Sequence, residues 1–345
     1  MLILGIETSC DETAAAVVRD GREILSNVVV SQIDIFAEYG GVIPEVAARS
    51  HLEVMMPVVS KALADAGVSW DEIDAIAVTH APGLLGSLLI GTLTARTLAI
   101  LHSKPLYAVH HLKSHVYANW LNSGDLASNS PQFPLLALVV SGGHTQILYM
   151  RGHNQFEIIG TTHDDAVGEC FDKVAKILGL PYPGGPAIAK AALDGDALKY
   201  RLTHPKVEGL DFSFSGLKTA VLRAVQKEVG VPISYPSHQL KELLSEQQVR
   251  DFAASFQKTA VDILCEKIEM ALREYPEVKS VVVAGGVSAN QMLREALPEA
   301  YFPVPSLSGD NGAMVAAACY YEIQSGVEPT DPYKLNIYPR VEINK

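Results

Sequence analysis

The sequence predicts an α/β protein built from two similar lobes with a ligand cleft between them. Short apolar, β-rich segments alternate with helical patterns along the 345 residues, which is typical of α/β folds. The same order of elements occurs twice: three strands, a helix, and a later strand that ends at a glycine-containing turn before another helix. Ligands of α/β proteins bind in the crevices of such folds. The alternative is one doubly wound sheet with two hairpins that are alike by chance.

The elements of each copy can be assigned in order. The first copy has strands at 2–6, 13–18 and 24–30, a helix at 44–66 and a further strand at 73–79. The second copy has strands at 135–140, 145–150 and 156–159, a helix at 166–178 and a further strand at 280–284. We expect the last helix, at 313–324, to return to the first lobe. The polar segment 122–133 reads as the linker, so that 1–122 plus about 310–345 form lobe I and about 133–309 form lobe II.

Composition points to a cytoplasmic protein without a membrane segment. Hydrophobic residues make up 48% of the chain and charged residues 19%, which is ordinary for a globular protein. The most apolar long stretch, 84–101, contains Thr92 and Arg96 and suits a buried helix better than a membrane span. The four cysteines are far apart, without a CxxC pair, which favours a reducing compartment.

The net charge of −12 bears on nucleic-acid binding. Proteins that bind RNA through a broad electrostatic field are usually basic. If this chain acts on RNA, it has to use local basic patches or the surface of a partner.

The candidate metal ligands are His111 and His115 in the segment HLKSH. A spacing of four puts both imidazoles on one face of the helix predicted after the strand at 105–109. A zinc peptidase would carry a glutamate after the first histidine, where this chain has Leu112. The alternative is a histidine pair that is solvated or satisfied within the core.

A third ligand has to come from elsewhere in the chain. Asp310 precedes the last helix, and it reaches the histidines if that helix returns to the first lobe. Two imidazoles and one carboxylate leave open positions and suit Fe(II) or another borderline divalent ion. The alternative is that Asp310 only caps its helix.

Several glycine-rich or hydroxyl-rich turns are candidate ligand loops. The turn 141–144 of the second copy (SGGH) is equivalent to the turn that contains Glu12 in the first copy. Paired glycines permit a close backbone approach and a positive φ, although any hairpin can use them. The segment GGVSAN at 285–290 follows an apolar strand and opens a helix, where an anion can bind or Ser288 can simply be the cap. Asp172 either faces the cleft or complements its helix dipole.

Taken together, these motifs resemble the bacterial tRNA N6-adenosine threonylcarbamoyltransferase family. The matching segments, in the family's order, are GIETSCDETAAAVV, HHLKSH, LVVSGGHT, FDKVAKILGLPYPGGP, FSFSGLKTA, AGGVSAN and SGDNGAM. The resemblance covers about residues 2–314. It implies the fold of actin, Hsp70 and sugar kinases, with two lobes and a central cleft.

The resemblance also implies an activity and a set of site residues. The activity is transfer of a threonylcarbamoyl group from threonylcarbamoyl-AMP to the N6 amine of the adenosine beside the anticodon, in tRNAs that read codons starting with A. The implied metal is Fe(II), with Zn(II) possible as the alternative, and the implied partners are a homologous metal-free subunit and a small ATPase. The implied metal ligands are His111, His115 and Asp310. The implied substrate contacts are Val139, Val140, Ser141, Gly142, Gly143, Asp172, Gly185 and Asn290. No general base is implied, and we name Glu12 as a candidate because it lies in the facing turn.

Three other functions compete with this interpretation. An ATPase or small-molecule kinase of the same fold class would not need the histidine pair, and it usually has an aspartate where this chain has Glu7. A non-catalytic scaffold could have lost the metal ligands, all three of which are present. A metallopeptidase would need the glutamate base that is missing beside His111.

Overall fold

The computed structural model describes residues 1–121, 130–204 and 207–343. Most of the predicted linker 122–133 therefore lies outside the described residues, as do the last two residues of predicted lobe I. Among the residues described, no helix combines the length and the apolarity needed to cross a bilayer. All four cysteines are described and unpaired.

The first half forms a five-stranded sheet. Its strands and helices are β1 Leu2–Glu7, β2 Glu12–Arg19, β3 Glu23–Ser31, α1 Ile33–Tyr39, α2 Pro44–Ala66, β4 Ala75–Ala81, α3 Leu85–Leu101, β5 Leu106–His110 and α4 His111–Tyr117. The strand order is β3-β2-β1-β4-β5. The first three strands are antiparallel, while β4 and β5 run parallel to β1.

The second half repeats this topology with one strand fewer among the described residues. Its elements are β6 Leu135–Val140, β7 Thr145–Gly152, β8 Gln155–Thr161, α5 Val167–Leu178, α6 Gly184–Ala192, α7 Ser215–Glu228, α8 Glu246–Glu274, β9 Ser280–Ala284, α9 Gln291–Ala296 and α10 Gly312–Gln324. The strand order is β8-β7-β6-β9, with β9 parallel to β6. The predicted duplication is confirmed. Between β8 and β9 the described part of the second copy has four α-helices, whereas the first copy has two between β3 and β4.

The layers of the molecule follow from the apolar strands. Strand β6 is buried along its whole length, as expected for a strand covered on both faces. Its residues Leu136, Leu138 and Val140 join a core with the helices of the second half. The alternate residues Leu135, Ala137 and Val139 join a different core that contains α4, α10 and one face of the first sheet. Helices α4 and α10 therefore lie between the two sheets.

The remaining face of the first sheet is covered by α2 and α3. Leu4 and Ile6 of β1 pack there with Val58 and Val59 of α2 and with Ala95 of α3. The last helix packs on β1, β2 and α4, which confirms its expected return to the first half. This return brings residues about 200 positions apart in sequence to the same end of the central layer.

Candidate metal centre

Two histidines lie on the short helix α4, directly after β5. Because β5 runs parallel to β4, α4 begins at the carboxyl end of the sheet, where ligands of α/β proteins bind. His111 is the first residue of α4 and His115 follows one turn later. Their ring centroids are 4.6 Å apart, and both side chains are buried. The prediction that the two imidazoles share one helix face is confirmed.

Asp310 reaches these histidines because α10 contacts β1 and β2 backbone to backbone. A Cβ on Gly5 would overlap the carbonyl oxygen of Gly312, and a Cβ on Gly312 would lie 2.6 Å from the amide nitrogen of Ala16. The helix cap is Asn311, whose side chain accepts a hydrogen bond from Met314 N at 3.0 Å. The alternative that Asp310 is only the cap is therefore wrong, and its carboxylate is left to face α4.

The three side chains converge on one point. Asp310 Oδ1 lies 3.0 Å from His115 Nε2 and 3.6 Å from His111 Nε2, and one ligand atom from each residue can be chosen so that all lie within 4.8 Å of one another. Although Asp310 Oδ1 is this close to Nε2, neither ring nitrogen of His115 makes a well-directed hydrogen bond among the described residues, which is costly for buried polar atoms. A divalent ion bound between these side chains would be coordinated by the lone pair of His115 Nε2. These donors thus fit a metal site with open coordination positions.

Charge at this point favours a cation. Burial lowers the pKa of His111, but the negative charges of Asp310 and Glu7 outweigh burial and raise that pKa to about 9. Burial raises the pKa of Asp310, but the imidazoles of His111 and His115 outweigh it and lower that pKa to about 2. The centre therefore attracts a proton strongly when no other cation is bound, and a divalent ion can take the place of that proton.

Two further residues lie at this centre that the sequence motifs did not indicate as site residues. Glu7 is fully buried at the end of β1, and its Oε2 lies 3.0 Å from His111 Nδ1. A single ionisable residue ending the otherwise apolar strand LILGIE was the available signal. His144, from the β6–β7 turn, faces the centre from the second half. Burial lowers its pKa to about 4, and the charges of His111 and His115 contribute to that shift.

Glu12 lies at the start of β2 and faces the same cleft. It accepts a hydrogen bond from Ser31 Oγ at 3.0 Å. Burial raises its pKa to about 9, with further contributions from the negative charges of Asp310 and Asp11. With a pKa of about 9, Glu12 is protonated near neutral pH, and its role as a base stays a prediction.

The predicted phosphate turn closes the β6–β7 hairpin. Ser141 N donates to His144 O at 2.8 Å, and His144 N donates to Ser141 Oγ at 3.1 Å. Val139 and Val140 are fully buried, so only their backbone could touch a ligand. Neither Gly142 nor Gly143 uses the positive φ that glycine permits. Both have open space where a Cβ would stand, so these glycines leave room for a ligand at the backbone.

The other predicted substrate contacts lie around the second half of the cleft. Asp172 on α5 accepts a hydrogen bond from Gly184 N at 2.7 Å. Burial raises the pKa of Asp172, and the charges of Glu169 and Asp11 raise it further. Asp172 therefore lies within electrostatic range of the first-half turn that holds Asp11, in addition to fixing the start of α6.

Gly185 and Asn290 differ in their contacts with the rest of the structure. Gly185 has open space around its Cα. Asn290, and not Ser288, caps α9: its side chain accepts from Leu293 N at 3.2 Å and donates to Gln257 Oε1 at 2.9 Å. The assignment of Asp172, Gly185 and Asn290 to substrate binding stays a prediction.

Solved structures define the class of this fold. The structure is similar to full-length HypF in its phosphate- and nucleotide-bound form, with a TM-score of 0.55 at 13% identity, covering 94% of this chain and 46% of that one. It is also similar to the activator of 2-hydroxyisocaproyl-CoA dehydratase from Clostridium difficile with bound ADPNP, with a TM-score of 0.50 at 13% identity, covering 96% of this chain and 100% of that one. The protein has the duplicated fold of actin, Hsp70 and the sugar kinases.

Sequence relatives define the family. Residues 23–317 match the family described as tRNA N6-adenosine threonylcarbamoyltransferase. Proteins of that name from Thermomicrobium roseum and Symbiobacterium thermophilum are 49% and 50% identical to this chain, covering 95% and 94% of it and 93% of each relative. A third, from Caldicellulosiruptor saccharolyticus, is 46% identical and covers 99% of this chain and 98% of that one. The chain belongs to the tRNA N6-adenosine threonylcarbamoyltransferase family.

Proposed function

We propose that the chain transfers the threonylcarbamoyl group of threonylcarbamoyl-AMP to the N6 amine of the adenosine next to the anticodon, in tRNAs that read codons starting with A. A bond forms between N6 and the carbamoyl carbon, the bond from that carbon to the phosphate oxygen breaks, AMP leaves, and N6 loses a proton. Family membership supports the proposal. The observation that carries it is the convergence of His111, His115 and Asp310 at the cleft.

His111, His115 and Asp310 are the residues proposed to hold one divalent ion. Fe(II) is the proposed ion, with Zn(II) as the alternative, because two imidazoles and a carboxylate suit both. An ion held there would supply Lewis-acid stabilisation of negative charge on the reacting group. The chain's own task is to align two reactants, since the anhydride is already activated.

The proposed substrate site spans both halves of the cleft. The backbone of Val139, Val140, Ser141, Gly142 and Gly143 would receive the phosphate of the adenylate. Asp172, Gly185 and Asn290 would contact its nucleoside. Glu12 is the candidate for accepting the N6 proton. A divalent ion bound to Asp310 would offset the charge of Asp310, which is one of the interactions that raise the pKa of Glu12.

We also propose the lobe division drawn from the sequence, with 1–122 plus about 310–345 as lobe I and about 133–309 as lobe II. The packing of α10 on β1 and β2 supports it. A location in the cytoplasm is proposed as well, and it is supported by four unpaired cysteines.

The proposed partners are a homologous metal-free subunit and a small ATPase. The outer sides of α2 and α3 expose Leu52, Met56, Leu85, Leu89 and Leu93, and the two helices pack against each other. We call these five side chains the α2–α3 face. The buried residues of α2, such as Met55 and Val59, belong to the core, so only part of its apolar pattern is available to the homologous subunit that we propose docks on this face.

The test is a transfer assay with defined components. Purified chain, unmodified tRNA and threonylcarbamoyl-AMP are incubated with and without the partner proteins, and the modified nucleoside is measured by mass spectrometry after digestion. We expect product with the native protein and a loss of at least about 100-fold in the His111→Ala/His115→Ala variant, which should also lose its metal. His163→Ala, which alters a surface ion pair with Asp211, is the matched control.

Two outcomes would contradict the proposal. Absence of modified adenosine under all conditions would remove the activity. Equal metal content in the native protein and the double variant would remove the metal assignment. The alternative function, an ATPase or small-molecule kinase of the same fold class, predicts phosphate release from ATP by the chain alone, and the same samples report it.

A further inference from the structure

Glu7 is a fully buried carboxylate to which the proposed reaction gives no role. It lies at the last position of β1, directly behind the imidazole of His111. Within the described residues no lysine or arginine pairs with it, and its one ionic neighbour is His111. A buried carboxylate without partners is costly, so the groups that surround Glu7 indicate what it does.

Three donors surround this carboxylate. Ser9 N donates to Oε1 at 2.5 Å, and Thr79 Oγ1 donates to Oε2 at 2.6 Å. The third is Nδ1 of His111, at 3.0 Å from Oε2. Since Thr79 lies on β4 and His111 begins α4, Glu7 connects three neighbouring elements at the carboxyl end of the first sheet.

The contact with His111 determines which ring nitrogen carries a proton. Both oxygens of Glu7 accept hydrogen bonds, from Ser9 N and Thr79 Oγ1, and an oxygen that accepts requires Nδ1 of His111 to donate. The hydroxyl of Ser9, whose Oγ lies 3.2 Å from the same Nδ1, can accept from it as well. The other nitrogen, Nε2, points to Asp310 at 3.6 Å and is the atom available to a metal. His115 differs, because its Nδ1 has no hydrogen-bond partner among the described residues. Among the described residues, His111 therefore has a hydrogen-bond partner at Nδ1 that fixes its ring orientation, and His115 does not.

We infer that Glu7 is a positioning residue for the metal centre: its carboxylate keeps the proton on His111 Nδ1 and thereby directs Nε2 to a divalent cation. This inference rests on the proposed metal centre. A carboxylate behind a ligating imidazole fixes the tautomer and the ring orientation and makes the ligand more basic. Glu7 therefore strengthens ion binding without touching the ion or the substrate.

Replacing Glu7 by glutamine tests this role because neither amide orientation restores the native contacts. If the amide oxygen faces His111, the NH2 group meets Ser9 N, and two donors face each other. If the NH2 group faces His111, Nδ1 must become the acceptor and the proton moves to Nε2, where it opposes the metal. Either arrangement disturbs the contacts that leave His111 Nε2 unprotonated and directed to the metal.

The matched control is Thr79→Val. Thr79 is fully buried and donates to the same carboxylate oxygen, but it does not contact His111 through any hydrogen bond that the described residues form. This nearly isosteric change removes a hydrogen bond from the network and leaves the contact between Glu7 and His111 in place. A purely structural role of Glu7 would affect both variants alike.

The measurement is Zn²⁺ affinity by competition with a chromophoric chelator, with thermal unfolding followed in parallel. We expect the dissociation constant to rise about 10- to 100-fold in Glu7→Gln and to change less than about threefold in Thr79→Val. Native affinity in a folded Glu7→Gln protein overturns the inference, as does equal weakening in both variants. If the native protein binds neither Zn²⁺ nor Fe²⁺, the proposed metal centre is wrong, and the inference that rests on it is wrong as well.

A second measurement covers the case in which Glu7→Gln does not fold. Long-range ¹⁵N–¹H spectra of the Zn²⁺-loaded native protein, labelled at histidine, distinguish the two tautomers. We expect His111 to carry its proton on Nδ1, with Nε2 bound to zinc. A His111 that is protonated on Nε2 overturns the inference.

Discussion

Ionisable residues buried near the central layer differ in how the protein compensates their charge. His111 and Asp310 stabilise each other's charged forms, so their pKa values move apart, to about 9 and about 2. Glu322 on α10 is almost as deeply buried, but the one cation that pairs with it in the described part of the chain, Lys113 Nζ, is 3.7 Å away. Burial raises the pKa of Glu322 to about 7, and Lys113 offsets only part of that effect. Glu322 is therefore neutral in mild acid and charged in mild base.

This shift makes a prediction about stability and pH. In the folded state Glu322 holds its proton up to about pH 7, whereas an unfolded glutamate loses it near pH 4.5. The unfolded state binds fewer protons in this window, so the free energy of unfolding falls as pH rises. Tyr117 and Cys319 also lie nearby, and burial raises the pKa of both, so they remain neutral in this range.

Glu322→Gln should remove this pH dependence. From pH 5.5 to 8.5 we expect the variant to gain about 2 kcal/mol of unfolding free energy relative to the native protein. Urea unfolding at both pH values measures the difference. Glu157→Gln, which alters an exposed ion pair with Arg151, is the control. Parallel pH profiles for the native and Glu322→Gln proteins would contradict the argument.

A second residue-scale prediction concerns Gly142. Because open space surrounds its Cα, Gly142→Val can be accommodated in the free protein but adds a branched side chain where the phosphate should lie. We expect AMP or adenylate analogues to bind at least about tenfold more weakly in calorimetry, with the melting temperature changed little. Gly152→Val, at the far end of the same hairpin, is the control. Normal binding by Gly142→Val would mean that the turn is only a hairpin connection.

At the scale of elements, β9 ends in a turn that the neighbouring strand β6 constrains. Gly285 has a φ of +90°, which disfavours any side chain. A Cβ there would also overlap the carbonyl oxygen of Val140. The adjacent Gly286 has neither restriction. The two glycines therefore form a natural pair for comparison.

Gly285→Ala should destabilise the protein by about 1–3 kcal/mol, because both strain and overlap accompany the new Cβ. Gly286→Ala should lie within about 0.5 kcal/mol of the native protein or slightly above it. Chemical denaturation of the three proteins measures both values. If the two variants are equally stable, the turn is not constrained by β6 as we describe.

A second prediction at this scale concerns the α2–α3 face. Leu52 is 68% exposed and contributes little to the core, so Leu52→Glu/Leu89→Glu should fold normally but lose binding to the homologous subunit by at least about 100-fold. Analytical ultracentrifugation or calorimetry measures the association. Leu198→Glu, at a position that is 78% exposed in the second half, is the control. Undiminished association of the double variant would exclude this face as the docking site.

At the scale of the whole molecule, the net charge of −12 opposes a polyanionic substrate. Long-range attraction to tRNA is absent, and a few local lysine and arginine residues can displace only a few counterions. We therefore expect the chain alone to bind tRNA weakly and to turn over slowly, and the proposed partners to increase both. Binding and multiple-turnover assays across a salt series, with and without partners, test this expectation. Rapid turnover by the isolated chain at physiological salt would contradict it.

Much of the fold could be predicted because its signals are local. The strand β6 and the helix α2 have the bounds that a short apolar run and helical spacing predicted. The glycine turns marked where strands end, and the repeated order of elements predicted two copies. The additional helices between β8 and β9 could not be derived from the repeat, because the described residues of the first copy form only two α-helices at the corresponding place.

Local sequence also determined that His111 and His115 share a helix face, since a spacing of four residues places side chains one turn apart. It could not determine that Asp310 completes the group, because that contact depends on how closely α10 approaches β1. The tertiary structure decided this through Gly5 and Gly312, whose missing side chains let the two backbones touch. It also placed Glu7 behind His111, because the ends of β1 and β5 become neighbours of one centre only when the sheet is assembled.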